Sequence, residues 1–229
     1  MRLISPIISA LGLVLAHLDG AVSWDVFDQT SFMPADVKAK LPSVKYVRSG
    51  APSSVSRLSG YDRTSYNGQV PANLPGIDVK DVHGVFGGWS ASDYTSTVGD
   101  AAALAYEVYG PKQRIINATY QSVMVPECQD FCIYGFATFN LTQELGQKGA
   151  EGVAYGHLGA TYGYKTVLAY MPALDVSIAI GSNLENDDQT HPSDTLCVLY
   201  TAVKNRLTGS TDNCVFKAGG YFSGGCKCL

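Results

Sequence analysis

The chain has 229 residues, 46% of them hydrophobic and 16% charged, with a formal net charge of −4. This is enough apolar chain for one packed domain, and the composition excludes a disordered protein. An acidic balance, with a pI of about 5.5, argues against a nucleic-acid partner or an anionic membrane surface, both of which require a basic face.

Residues 1–23 read in two ways. Arg2 precedes an apolar stretch from Leu3 to Ala16, and Ala21-Val22-Ser23 offers small residues for cleavage, as in a secretory signal peptide. The same segment sets Ile4, Ile8, Leu11, Val14, Leu15 and Leu18 at helical spacing, which predicts a core helix over 4–19. In neither reading does it span a membrane, which takes roughly 18 or more apolar residues. Trp24–Phe32 reads as a short amphipathic stretch ended by Pro34, and Leu41–Val82 as irregular chain with turn signals such as Asn67-Gly68. Gly84–Ser90 is a tight apolar loop. Ser96 or Thr97 caps a helix over Ala101–Tyr109, stopped by Gly110-Pro111, and another helix is expected over 112–125. After Pro126 the pattern changes to the period of strands. Ile133–Asn140, Val153–Gly159, Tyr162–Met171 and Asp175–Ser182 are four strand candidates, and their short links favour antiparallel neighbours. Pro192 begins a last helix running to Leu207. The expected division is 1–23 as signal peptide or first helix, 24–207 as the domain, and 208–229 as a Gly- and Cys-rich tail.

Six cysteines, Cys128, Cys132, Cys197, Cys214, Cys226 and Cys228, form an even set suited to disulfides. There is no C-x-x-C, so neither a zinc ribbon nor a thioredoxin-like redox site is expected. Asn117-Ala118-Thr119 and Asn140-Leu141-Thr142 are candidate glycosylation sites. Cysteines and sequons together predict a secreted, extracellular protein.

The familiar nucleophile and metal motifs are absent. The sequence has no G-x-S-x-G, no H-E-x-x-H and no phosphate loop, and no Ser stands three residues before a Lys. One constellation stands apart: Tyr155-Gly-His157-Leu-Gly159-Ala160-Thr-Tyr-Gly-Tyr164, where glycines flank a histidine at a strand end. It continues as Thr166-Val-Leu-Ala-Tyr170-Met-Pro172 and Asp175-Val-Ser-Ile-Ala-Ile-Gly-Ser-Asn183. This run resembles the C-terminal half of the penicillin-binding serine hydrolases, the family of class C β-lactamases, D-Ala-D-Ala carboxypeptidases and their esterase and D-aminopeptidase relatives. There a His-x-Gly lies on a sheet-edge strand, followed by a Pro turn and a strand ending in Asn. Ser59-Gly60-Tyr61, Gly84–Asp100, Gly135-Phe136 and the Ala10–Ala16 segment are similar to further family segments in the same order.

The resemblance implies an α+β fold, with a partial β-lactamase/transpeptidase-like antiparallel sheet, flanking helices and no cofactor. It places His157 at a catalytic position, facing a substrate carboxylate or assisting proton movement, with Gly159 and Ala160 binding a small peptide or acyl substrate. The Ala160 N–H would be one oxyanion donor. The family's nucleophile and bases, Ser-x-x-Lys and Tyr-x-Asn, are missing; counting back, the Tyr-x-Asn would fall near Leu3-Ile4-Ser5. A binding strand and oxyanion donors cannot start acyl transfer without an activated nucleophile. The expectation is a family member acting on amide or ester bonds whose chain is inactive or truncated; the alternative is a secreted, non-catalytic binding protein derived from the family. An unpaired sheet edge and an uncovered apolar face are expected with it.

Overall fold

The computed structural model describes residues 4–47, 58–65, 74–82, 88–125, 134–146, 152–187 and 192–216. In chain order the elements are α1 (Ile4–Leu18), α2 (Ala35–Lys40), β1 (Lys45–Tyr46), β2 (Tyr61–Asp62), β3 (Ile77–Asp78), β4 (Tyr94–Thr95), α3 (Val98–Tyr109), α4 (Ala118–Met124), β5 (Phe139–Asn140), β6 (Tyr155–Thr161), β7 (Tyr164–Met171), β8 (Val176–Ser182), β9 (Leu184–Glu185) and α5 (Ser193–Thr208). The fold class is the expected α+β, antiparallel strands with flanking helices. The chain divides into two compact units, one of Met1–Asp100 with Ala160–Tyr164 and Asn183–Asp187, the other of the remaining residues.

In the first unit, α1 packs through its small residues. Ala16 is 5% exposed, and a side chain at Gly12 would collide with Ser90. Leu11, Val14 and Leu18, part of the stripe expected in the core, are instead 57%, 53% and 73% exposed. The reason is close approach: among the described side chains, Gly12 and Ala16 let the helix onto Trp89 and Ser90, and Leu11, Val14 and Leu18 point away. Pro34 begins α2 rather than ending a preceding stretch, since the first turn of a helix needs no N–H from that residue. The segment expected to be irregular contains short ladders: β1 with β4 antiparallel, and β2 between antiparallel β3 and parallel β9. Ser43 fastens the chain before β1, since its Oγ and N–H both donate to Asp100 Oδ2, at 2.6 and 2.8 Å. Thr97 Oγ1 accepts from the Asp100 N–H, the capping role expected of it.

In the second unit, β5, β6, β7 and β8 form a four-stranded sheet in that order. β7 and β8 pair antiparallel from Lys165 opposite Ser182 to Met171 opposite Val176. α5 lays Leu196 and Tyr200, four residues apart on one face, into the core with Val167, Ala169, Met171 and Ile178. The body of α3 is tied to the β7–β8 turn, where Tyr106 and Tyr170 hydroxyls each donate to an Asp175 carboxylate oxygen at 2.9 Å. The helix expected over 112–125 is only α4, because Gln113 adopts φ +50°, outside helical space, and Asn117 then caps a fresh start by accepting from the Tyr120 N–H. Of the strand expected over Ile133–Asn140, Ile133 lies outside the described residues, and the described part is β5 because residues 135–138 turn back on themselves. Residues 208–216 fold back on α5 through the Cys197–Cys214 disulfide and a Lys204–Asp212 ion pair of 2.8 Å.

Candidate functional site

A tight reversal places an aromatic ring on the histidine. The Gly135 N–H donates to the Thr138 carbonyl at 2.8 Å, and Tyr134 forms a β-bridge with Phe139. Ala137 closes this turn at φ +53°, a left-handed conformation that costs a side-chain-bearing residue on the order of 1 kcal/mol. Phe139 in turn lies opposite Gly156 in the β5–β6 ladder, beside His157. Tyr134, Phe139 and His157 therefore converge as an edge-to-face cluster. The ring centroids are 4.4 Å apart for Tyr134–Phe139, 5.0 Å for Phe139–His157 and 5.7 Å for Tyr134–His157.

Both imidazole nitrogens have partners. Nδ1 is 2.6 Å from the Leu158 carbonyl oxygen, and Nε2 is 3.1 Å from the Tyr134 hydroxyl. A carbonyl only accepts, so Nδ1 carries the hydrogen; in the neutral ring Nε2 then accepts from the tyrosine O–H. His157 is exposed as a residue, and its imidazole, with Tyr134 and Phe139 packed edge-on against it, is partly desolvated. That desolvation lowers its pKa from the usual value, partly offset by the Leu158 bond. The same dehydration raises the Tyr134 phenol. The two shifts oppose transfer of the phenol proton, so the pair acts as neutral donor and acceptor. A neutral imidazole would meet a substrate carboxylate through hydrogen bonding rather than charge.

Gly159 lies two residues beyond His157, on the same face of β6, and Ala160 falls on the opposite face and is exposed. The ring's hydrogen bonds go to neither. The flanking glycines were expected to answer to a ligand; strand packing by itself also calls for glycine at both positions. A Cβ at Gly156 would run into the Leu168 carbonyl, and one at Gly159 into Thr166 Oγ1. Gly156→Ala should therefore destabilise the fold by about 1–3 kcal/mol, the range for overpacking. Gly159→Ala should cost less, because a threonine side chain can turn aside. Urea unfolding of the two variants checks the order, and a neutral Gly156→Ala would contradict the packing account.

β5 pairs with β6 only at Tyr155 and Gly156. Among the described residues, no strand lies beside His157 to Gly159 on that side. Of the remaining candidates, Asn117 is exposed, whereas half-buried Asn140 accepts from the N–H and Oγ1 of its own sequon residue, Thr142, at 3.0 and 2.6 Å. Cys197 and Cys214 are bonded to each other; Cys128, Cys132, Cys226 and Cys228 lie outside the described residues, as do His83, His191 and most of the Gly84–Ser90 loop. Two residues escaped the sequence reading. Tyr134 was visible only as the residue before Gly135-Phe136. Glu144, 3% exposed in the 3-10 turn Thr142–Leu145, has a carboxyl raised to about 7 by burial, and nothing in its local sequence distinguishes it from a solvated glutamate.

The fold is α+β and matches part of the β-lactamase-like fold seen in amidases. The chain is similar to the D-amino acid amidase of Ochrobactrum anthropi SV3. The amidase complex with L-phenylalanine matches at a TM-score of 0.63 and 15% identity, over 87% of this chain and 58% of the amidase. The complex with L-phenylalanine amide matches at 0.55 and 13%, over 88% and 55%, and that with D-phenylalanine at 0.54 and 14%, over 82% and 56%. The chain thus spans less than two thirds of the length of these amidases, and the likeness is one of fold. The sequence matches no family model and no curated protein.

Proposed function

We propose that the chain belongs to the hydrolase lineage of these amidases, that it binds an amide or acyl-peptide ligand along β6, and that it does not turn that ligand over by itself. The observation that carries this reading is that, among the described residues, no strand pairs with β6 beside His157 to Gly159 on its β5 side, where an extended ligand can pair with backbone groups as an added strand. Neither Ser-x-x-Lys nor Tyr-x-Asn occurs in the sequence, and without an activated nucleophile acyl transfer does not begin. The Cys197–Cys214 disulfide supports a secreted protein. The packing of Gly12 and Ala16 against Trp89 and Ser90 supports residues 1–23 as the first helix of the domain rather than a cleaved signal.

The test is incubation of the purified chain with D-phenylalanine amide, a chromogenic β-lactam and a D-alanyl ester. No turnover above the uncatalysed rate is expected. Turnover that a serine-acylating agent abolishes would overturn the non-catalytic reading. Amide-proton NMR with the same ligands should show shifts at His157 and Gly159; shifts confined to other segments would move the binding site off β6.

A further inference from the structure

We infer that Tyr134 is an internal latch on His157: its hydroxyl occupies the one imidazole nitrogen that could serve a ligand, and the ligand that releases it is one that itself donates an N–H or O–H. The inference rests on the proposed ligand site at β6 for its ligand class, but the latch stands on geometry alone. Leu158 takes the Nδ1 hydrogen at 2.6 Å, and Tyr134 fills Nε2 at 3.1 Å, so the resting ring has no free hydrogen-bonding position. The reversal at 135–138 holds Tyr134 there, and its ring is already packed on Phe139. The hydroxyl can therefore be removed while the packing remains.

Opening the latch breaks the hydrogen bond between the Tyr134 hydroxyl and His157 Nε2. A ligand replaces it only by donating to Nε2, because the nitrogen in this tautomer carries a lone pair and no hydrogen. A carboxylate at neutral pH accepts only and gains nothing there. An amide N–H fits, and the released phenol can then donate to the amide carbonyl. The group matched by the pair is thus one that offers a donor and an acceptor side by side, as a primary amide does, whereas a trans peptide bond points its N–H and C=O in opposite directions. Tyr134 acts through His157 and is a positioning residue.

Imidazole NMR on the whole chain tests this without any ligand. The wild-type His157 ring is expected as the Nδ1–H tautomer. Reaction with diethyl pyrocarbonate, followed by peptide mapping, should carbethoxylate His157 more slowly than exposed His17 in the last turn of α1. Tyr134→Phe should accelerate His157 roughly three- to tenfold, the range for loss of one hydrogen bond, with His17 unchanged. An Nε2–H tautomer in the wild type, or equal His157 rates in the two proteins, would overturn the latch. If the latch holds and D-phenylalanine amide still leaves the His157 ring signals unmoved, the ligand reading fails and the latch survives.

Discussion

Cys214→Ser should lower the melting temperature by roughly 6–12 °C, the equivalent at this chain length of about 3 kcal/mol. The bond joins residues 17 apart, and closing a loop of that size in the unfolded chain accounts for the estimate. The native contacts point the same way. Cys197 is fully buried on α5, and the segment carrying Cys214 closes over Gly146, where an added Cβ would meet the Val215 carbonyl and the Cys197 sulfur. Gly146 sits at φ +67°, so this close approach and its backbone both favour glycine. Without the disulfide, the segment keeps the Lys204–Asp212 pair, the Asn205 Nδ2 bond to the Asp212 carbonyl and the Ser210 Oγ bond to Asn205. Of these, the Asn205–Asp212 bond is exposed and Asp212 in the ion pair is half-exposed, so they hold the segment less firmly than the covalent bond. Thermal unfolding followed by circular dichroism checks the prediction. Equal melting of the wild type and Cys214→Ser would show that the bond contributes nothing.

Glu144→Gln should stabilise the protein by about 3 kcal/mol at pH 8 and by little at pH 4. The Glu144 carboxyl rises from 4.5 to about 7 because burial disfavours its charged form, with Asp194 adding repulsion and a Ser193 hydrogen bond opposing both. Its Oε2 is buried without a hydrogen-bond partner among the described residues. The folded state therefore holds this proton more tightly than the unfolded state. The stabilisation is complete below about 4.5 and is lost as the pH rises through about 7. At about 1.4 kcal/mol per unit, the shift corresponds to the figure above. Glutamine keeps an oxygen to accept from Ser193 and never charges, so it avoids the penalty at high pH. Urea denaturation at the two pH values measures it, and an equal effect at both would show that Glu144 does not titrate in this range.

What could be read from the sequence followed the length of the signal. β7 and β8 run for eight and seven residues, long enough for alternation to show, and α5 carries Leu196 and Tyr200 at helical spacing. Thr97 and the Gly110 stop announced α3, although the helix begins at Val98. Two-residue ladders such as β1–β4 and β2–β9 have no period to detect. α1 shows a different failure. Its large apolar residues marked a face, but its buried contact is made by Gly12 and Ala16, because distance of approach decided which face packs.

The α+β class was implied by the resemblance to the penicillin-binding serine hydrolases; the sequence by itself determined the order of the C-terminal strands and helix, the absence of a Ser-x-x-Lys nucleophile, and His157 as the residue to examine. Those features rest on local periodicity and residue identity, which a chain carries before it folds. Only the tertiary structure decided that Gly156 and Gly159 answer to Leu168 and Thr166, that Cys197 pairs with Cys214, and that Tyr134 meets His157 across 23 residues of sequence. Each of these depends on a distance between residues from different elements. The tautomer of His157 follows the same rule, set by the Leu158 carbonyl and the Tyr134 hydroxyl, while desolvation lowers its pKa against the Leu158 bond.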